Sequence, residues 1–257
     1  MVKGLYTAYS GLINEQNRMD VLTNNLANAD TNGYKKEGAT SQSFDDVLAF
    51  KIKDTSESPY LAKKIGNMNL GVKIGENYTD YSQGSFKVTN NTFDIAISGD
   101  GFFNVQFTNK AGETSTKYTR DGSFTLDSSG YLRTKDGDYV MGTRGRIRLN
   151  PNADTSIDSM GNITQNGTAV ASLRITDFED YNYLEHYGEN YYEPVDGART
   201  KEANVTLHSG YIETSNVQVV QEMVEMISTS RAYESNQKMI QTFDTTLEIA
   251  SSQLGKV

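Results

Sequence analysis

The sequence predicts an α+β protein: N- and C-terminal heptad helices pairing as a coiled coil, with a central antiparallel all-β domain. Three observations predict it. Leu5, Leu12, Met19 and Leu26 recur every seven residues near one end. Val219, Met226, Tyr233, Ile240, Leu247 and Leu254 do the same at the other. Between them, apolar residues alternate with polar ones and are interrupted by Asp-Gly and Ser-Gly pairs. Seven-residue spacing holds one stripe on one helix face, whereas period two marks a strand with one buried face. The expected order is an N-terminal helix with an Asn-rich exit motif (1–36), an extended arm (37–80), the β domain (81–210) and the C-terminal helix (211–257).

The first helix is expected from about residue 4 to 27, a span of ~35 Å. Ala8 and Leu22 fall three residues later in their heptads, and Glu15 interrupts that second row. At the other end Phe243 and Ala250 add a second row, while Met223, Val224 and Ile227 widen the stripe. Ser215 to Gln218 has the S-x-x-Q form of a capping box. With no Pro after Pro194 and no Gly between Gly210 and Gly255, a helix of ~40 residues, near 60 Å, follows. One amphipathic helix would simply cover a globular core. Two narrow stripes at opposite ends favour helix–helix pairing instead, with the other end of the chain, with neighbouring subunits, or with both. The expected subunit-interface residues are therefore Leu5, Leu12, Met19, Leu22, Leu26, Val219, Met226, Tyr233, Ile240, Leu247 and Leu254.

In FDIAISGDGFFNVQF, Phe93, Ile95 and Ile97 alternate, Ser98 to Gly101 is turn chemistry, and Phe103, Val105 and Phe107 alternate again. This reads as a β-hairpin. Tyr118 to Gly142 continues with turns between short strands, the spacing of an antiparallel domain. LDSSGYLRT and IDSMGNIT echo one another, each with Asp-x-x-Gly. Their oxygen ligands are too sparse for an EF-hand loop, so both read as turns. Residues 37–80 are neither clearly helical nor alternating; Phe44, Val47 and Leu48 suit one helical turn, and the rest an arm packed on something larger.

Composition excludes several classes of function. Of 257 residues 36% are hydrophobic, below the ~45–50% apolar usage (Gly included) of a typical globular chain. The deficit suits an elongated shape or large contact surfaces. A net charge of -9 makes a poor nucleic-acid binder. With no Cys, and with His186 and His208 in surroundings without ligand spacing, neither thiol catalysis nor a metal site is expected. No cofactor is called for. No apolar run long enough to span a membrane occurs, and the early residues lack the apolar core of a cleaved signal peptide.

Asp177 to Pro194 is rich in acids and Tyr. Asp177, Glu179 and Asp180 beside aromatic rings admit a glycosidase, and the rings admit a secreted carbohydrate-binding β module. A polar loop whose Tyr side chains cover strand ends is the preferred reading. His208-Ser209 has no nucleophile elbow, and no Gly-rich turn leads into a helix. No enzyme is expected, and no alternative class accounts for the two heptad ends.

The stretch NNLANADTNGYKK closes the first helix with Asn24, Asn25, Asn28 and Asn32, followed by Gly33 and Tyr34. Asn tolerates the left-handed conformations that end helices, and Asn-Gly makes the turn that follows. This chain-exit motif is expected to redirect the chain outward, its amides bonding adjacent subunits.

TNNLANADTNGYKK and LYTAYSGL resemble the first helix of bacterial flagellar axial proteins. SQGSFKVTNNTFDIAISGDGFFNV and YTRDGSF resemble the central signatures of that family, and GYIETSNVQVVQEMVEMISTSRAYESNQKMIQTFD its C-terminal helix. The blocks occur in family order and cover both ends and much of the middle. The chain resembles the flagellar basal-body rod proteins of the rod/hook family. The resemblance implies a structural subunit that polymerises with itself into a helical tube transmitting torque from motor to hook. It implies terminal helices paired in an inner layer and the β domain outside. It also implies contacts with other rod and hook proteins, unfolded export through the flagellar type III apparatus without a cleaved signal, and a place in the basal body outside the cytoplasm. RAYESNQKMI and IETSNVQVVQEMV are most similar to distal-rod members, and MGTRGRIRL to proximal-rod members. The distal rod is expected first, the proximal rod second, and the hook third because hook subunits are usually longer. The arm suits the distal-rod insertion in length but diverges from it in sequence.

Overall fold

A computed structural model describes residues 2–51, 63–110, 112–188 and 190–253. It contains two long helices and a large antiparallel sheet, an α+β protein. The chain forms two compact units: Met1–Leu26, Glu37–Thr79 and Gln218–Val257 in the first, Ala27–Lys36 and Asp80–Val217 in the second.

The first unit holds helix α1 (Val2–Ala27) and helix α2 (Val219–Gln253). A Cβ on Gly4 would lie 2.8 Å from the Phe243 ring, and one on Gly11 would lie 3.0 Å from the Asn236 amide. The contacts step by seven residues along both helices, in opposite directions. The helices therefore run antiparallel here, and Gly lets their backbones come close. Continuing the step gives Asn25 and Glu222, which are hydrogen-bonded, and between them on α2 the buried Thr229. The seam that joins the helices thus carries Glu222, Thr229, Asn236 and Phe243, a row of which apolar periodicity marks only Phe243. Helix α2 starts later than expected. The Ser215 hydroxyl accepts from the Val217 N–H, two residues on, and Tyr211–Glu213 is a strand paired with Phe86–Val88. The capping box does not form because the chain is still extended there.

The rest of this unit is two antiparallel ladders, Glu37–Ser43 with Val72–Thr79 and Val47–Lys51 with Lys63–Met68. The helical turn expected at Phe44, Val47 and Leu48 does not form; the chain is irregular at 44–46 and enters the strand Val47–Lys51. Helix α1 anchors the ladders: Asn14 Nδ2 donates to Ser41 Oγ (2.8 Å), and the Thr7 hydroxyl donates to the Leu70 carbonyl (3.0 Å).

The second unit is built on a ten-stranded sheet. Its central strand Phe102–Thr108 pairs with Thr114–Thr119, Tyr139–Gly142 and Ile175–Phe178. Both faces of that strand are buried, so the neighbours Phe102 and Phe103 enter different cores. Phe103 joins Ile95, Ile97, Phe124, Leu132, Val140 and others, while Phe102 packs with Phe178 and Tyr192. Ile95–Ser98 does not make the expected hairpin with this strand; it pairs with Thr206–Ser209. The Ser98–Gly101 turn exists, but it passes the chain to a different ladder. The Asp-x-x-Gly echo is two equivalent hairpin turns. Gly130 N–H donates to the Asp127 carbonyl and Gly161 N–H to the Asp158 carbonyl, at 2.8 and 3.1 Å.

Candidate assembly surface and chain-exit motif

The exit motif is tied within its own chain. Asn25 is fully buried in the first unit. Its amide Nδ2 donates to the Glu37 carbonyl (2.7 Å) and to Glu222 Oε2 (3.1 Å), and its Oδ1 accepts from the Glu37 N–H (2.9 Å). One amide side chain so fastens the end of α1, the first residue of the returning strand and the first turn of α2. The partners named here all lie within its own chain. An Asn suits the place because it offers donors and an acceptor in one plane.

Residues 27–36 belong to the second unit and are tied there to the segment 213–217. Thr31 donates through its hydroxyl to Asn28 Oδ1 (3.1 Å). Asn32 is half-buried. Gly33 has φ of 68°, and its N–H donates to the Glu213 carbonyl at 2.9 Å. A Cβ there would lie 2.5 Å from backbone atoms of Arg120 and Asp121, so both conformation and space demand Gly. Tyr34 is buried, its ring edge-on to His186 at 6.4 Å. The Lys36 N–H donates to Asn216 Oδ1 (2.7 Å), whose Nδ2 donates to the carbonyls of Asp80 (2.8 Å) and Ser82 (3.2 Å).

Sequence reasoning missed the charges beneath this turn. Lys35 and Glu213 are both buried, with Nζ 2.6 Å from Oε1. Lys35 also donates to the Ser82 carbonyl (2.8 Å), Gly84 N–H donates to the same Glu213 oxygen (2.9 Å), and buried Arg120 approaches the other at 3.6 Å. Burial pulls the Lys35 ammonium below its ordinary pKa, against the opposing pull of Glu213. A Lys-Lys pair in sequence reads as a solvated face, and nothing in the local pattern marks one of the two as interior.

Of the expected interface residues, Leu22 is buried; Leu5, Leu12, Met19, Leu26, Met226, Tyr233 and Ile240 are half-buried; Val219 and Leu247 are exposed; Leu254 lies outside the described residues. Asn24 is exposed at the end of α1. The most open apolar group is on the first turns of α2. Val220 is 77% exposed and Val224 62%, with Met223 and Ile227 beside them.

The Tyr-rich segment is not a loop. It forms Leu184–Tyr187 and Tyr191–Pro194, a hairpin within the large sheet. Tyr192 is buried against Phe102, and Tyr181 stacks on Tyr81 at 4.8 Å. Asp177 is buried; its carboxylate accepts from Tyr181 (2.7 Å) and pairs with Lys201 (2.9 Å). Burial and that carboxylate push the Tyr181 phenol well above its ordinary pKa. Asp180 caps the turn after it by accepting from the Asn182 N–H, and Glu179 is exposed. Asp177 and Asp180 therefore hold the fold together here. Ser209 donates to the Thr92 carbonyl, and His208 packs on Phe86 and Tyr211.

Comparison with known proteins agrees with this arrangement. Three family models match in order: "Flagella basal body rod protein" at residues 5–35, "Flagellar hook protein FlgE/F/G D1 domain" at 96–165, and "Flagellar basal body rod FlgEFG protein C-terminal" at 208–253. The flagellar basal-body rod protein FlgG of Bacillus subtilis is 34% identical over 271 residues, covering 96% of this chain and 97% of that one. FlgG of Buchnera aphidicola subsp. Schizaphis graminum is 34% identical over 265 residues, covering 96% and 98%. The basal-body rod protein FlgF of Caulobacter vibrioides is 31% identical over 263 residues, covering 100% of both. With three family models matched in order and relatives of this identity along its length, the chain belongs to the flagellar basal-body rod protein family and is a structural subunit of the rod.

Proposed function

We propose that this rod subunit is a distal-rod protein that polymerises with its own copies into a helical tube and transmits torque from motor to hook. The observation that carries the reading is the exposed apolar set on α2. Val220, Met223, Val224 and Ile227 fall at helical spacing on one face and stay open while the seam to α1 is already made by other residues. On α1, Tyr6, Tyr9 and Ile13 are likewise exposed. Fully burying a Val, Ile or Met is worth roughly 1.5–3 kcal/mol, and a polymer repeats that gain at every subunit. Neighbouring helices, packed coiled-coil fashion against the remaining heptad residues, are the partners that fit, with other rod and hook proteins at the ends of the stack.

RAYESNQKMI supports the distal rod, while the matching relatives carry both the FlgG and FlgF names; a proximal-rod or hook-type place is the alternative. Export through the flagellar type III apparatus in an unfolded state suits the chain-exit motif. Gly33, Lys35 and Lys36 each bond to residues in 213–217, so these ties close after nearly the whole chain has emerged. The test is Val220→Asp with Val224→Asp. The variant keeps the thermal transition of the monomer and forms no tubes by sedimentation and electron microscopy. Tubes formed at the wild-type concentration would refute the reading.

A further inference from the structure

The second unit carries opposite charges on opposite sides of one strand. Arg144, Arg146 and Arg148 alternate along a turn and the short strand Gly145–Arg146, lining a cleft of about 360 Å³. Among the described residues none of the three is ion-paired, in a chain of net charge -9. The Tyr139 ring holds the Arg146 guanidinium at 4.2 Å, and the Tyr131 ring lies 5.6 Å from that of Arg148. These rings stiffen the arginines without neutralising them. Arg144 stands exposed at the tip.

A second cleft, of about 540 Å³, is lined by Asp30, Asp121, Asp136 and Asp138, with Lys135 the one cation among its described lining residues. Tyr191 forms its wall, its hydroxyl 3.2 Å from Asp136 and 3.0 Å from Asp138. Asn190 lines the same cleft, and its buried side-chain oxygen lacks a hydrogen-bond partner among the described residues. Asp138 and Tyr139 are consecutive, so their side chains leave opposite sides of the extended chain. One reaches Tyr191, while the other lies under Arg146.

We infer that the arginine turn of one copy docks in the aspartate cleft of the next. The inference rests on the polymer reading above and names a contact within it. The occupant is a second copy of this chain because each cleft carries the charge the other lacks. An arginine brings five donors to a cleft rich in acceptors. Two different surfaces on one subunit make a heterologous contact, which propagates instead of closing as a dimer. The arginine turn therefore supplies direction and register, and the α2 apolar face supplies most of the buried area.

The chain has no Cys, so introduced pairs are its only thiols. Arg144→Cys with Asp136→Cys, oxidised in the polymer, gives a ladder of covalent dimers, trimers and longer species. The control pair Arg144→Cys with Asp196→Cys gives monomer. Arg144→Glu with Arg148→Glu raises the concentration needed for polymerisation about tenfold or more, and adding Asp30→Arg with Asp136→Arg restores it. Polymers of the Arg144→Cys, Asp136→Cys variant that give no ladder, or assembly that tolerates the arginine reversals, overturn this contact alone. A wild-type chain that forms no polymer overturns this contact and the polymer reading together.

Discussion

Asn25 on α1 donates to Glu222 on α2 at 3.1 Å, inside a site where both side chains are fully buried. The two residues are 197 positions apart, so this bond records how the first unit is closed by its two ends. It also continues the antiparallel step from Gly4–Phe243 and Gly11–Asn236.

Asn25→Ala leaves the Glu37 backbone groups and Glu222 short of a partner. Each unmet buried group costs about 1–3 kcal/mol, so urea denaturation should show a loss in that range or above. Asn25→Asp places a carboxylate beside another. Its folded pKa is raised, so its stability is fullest at low pH and falls as pH rises through that value. The variant should be closer to wild type at pH 4 than at pH 7.

Gly33→Val forces a β-branched residue into positive φ and pushes its Cβ into the Arg120–Asp121 backbone. A loss of at least about 2 kcal/mol in denaturant unfolding is expected. Rod assembly should fall with it; assembly equal to wild type would remove the role assigned to this turn.

Lys35→Met strands the buried Glu213 carboxylate with only Arg120 opposite it, at a cost of about 3–5 kcal/mol. Glu213→Gln added to that variant should recover part of the loss, because the amide oxygen still accepts from Gly84. The pH dependence has a definite sign. Burial lowers the Lys35 pKa, so between that value and 10.5 the unfolded chain binds more protons than the folded one. Stability from this group therefore rises with pH across that window, and the gap between wild type and Lys35→Met should widen there.

Phe102 meets Phe178, Tyr181, Tyr192 and Tyr81, with ring centroids 5.3–6.1 Å away. Phe102→Ala should cost about 3–5 kcal/mol. Tyr183, 45% exposed in the same segment, should tolerate Ser within about 0.5 kcal/mol. Thermal melts of the two variants separate an aromatic core from a surface binding face.

Helix existence and the β character of the middle were legible because apolar spacing reports which face is covered. The Asp-x-x-Gly turns were legible because a local hydrogen-bond pattern makes them. The partners of Ile95–Ser98 were not, since pairing with Thr206–Ser209 depends on residues over 100 positions away. Most of the intrachain seam on α2 also lies off the period-seven row. Glu222, Thr229 and Asn236 are polar, and close approach at Gly4 and Gly11 replaces apolar bulk as the reason the helices meet. The exit motif was recognised by its amides, but Lys35 and Glu213 were invisible, because a buried ion pair leaves no periodic trace.

The most direct test of the account is oxidative footprinting of methionines in dilute monomer and in polymer. Met223, 48% exposed on the open face of α2, should become protected on polymerisation, whereas Met160, 80% exposed in the second unit, should keep its reactivity. Equal oxidation of Met223 in both states would mean that neighbouring subunits do not cover this face, and the proposed assembly surface would be wrong.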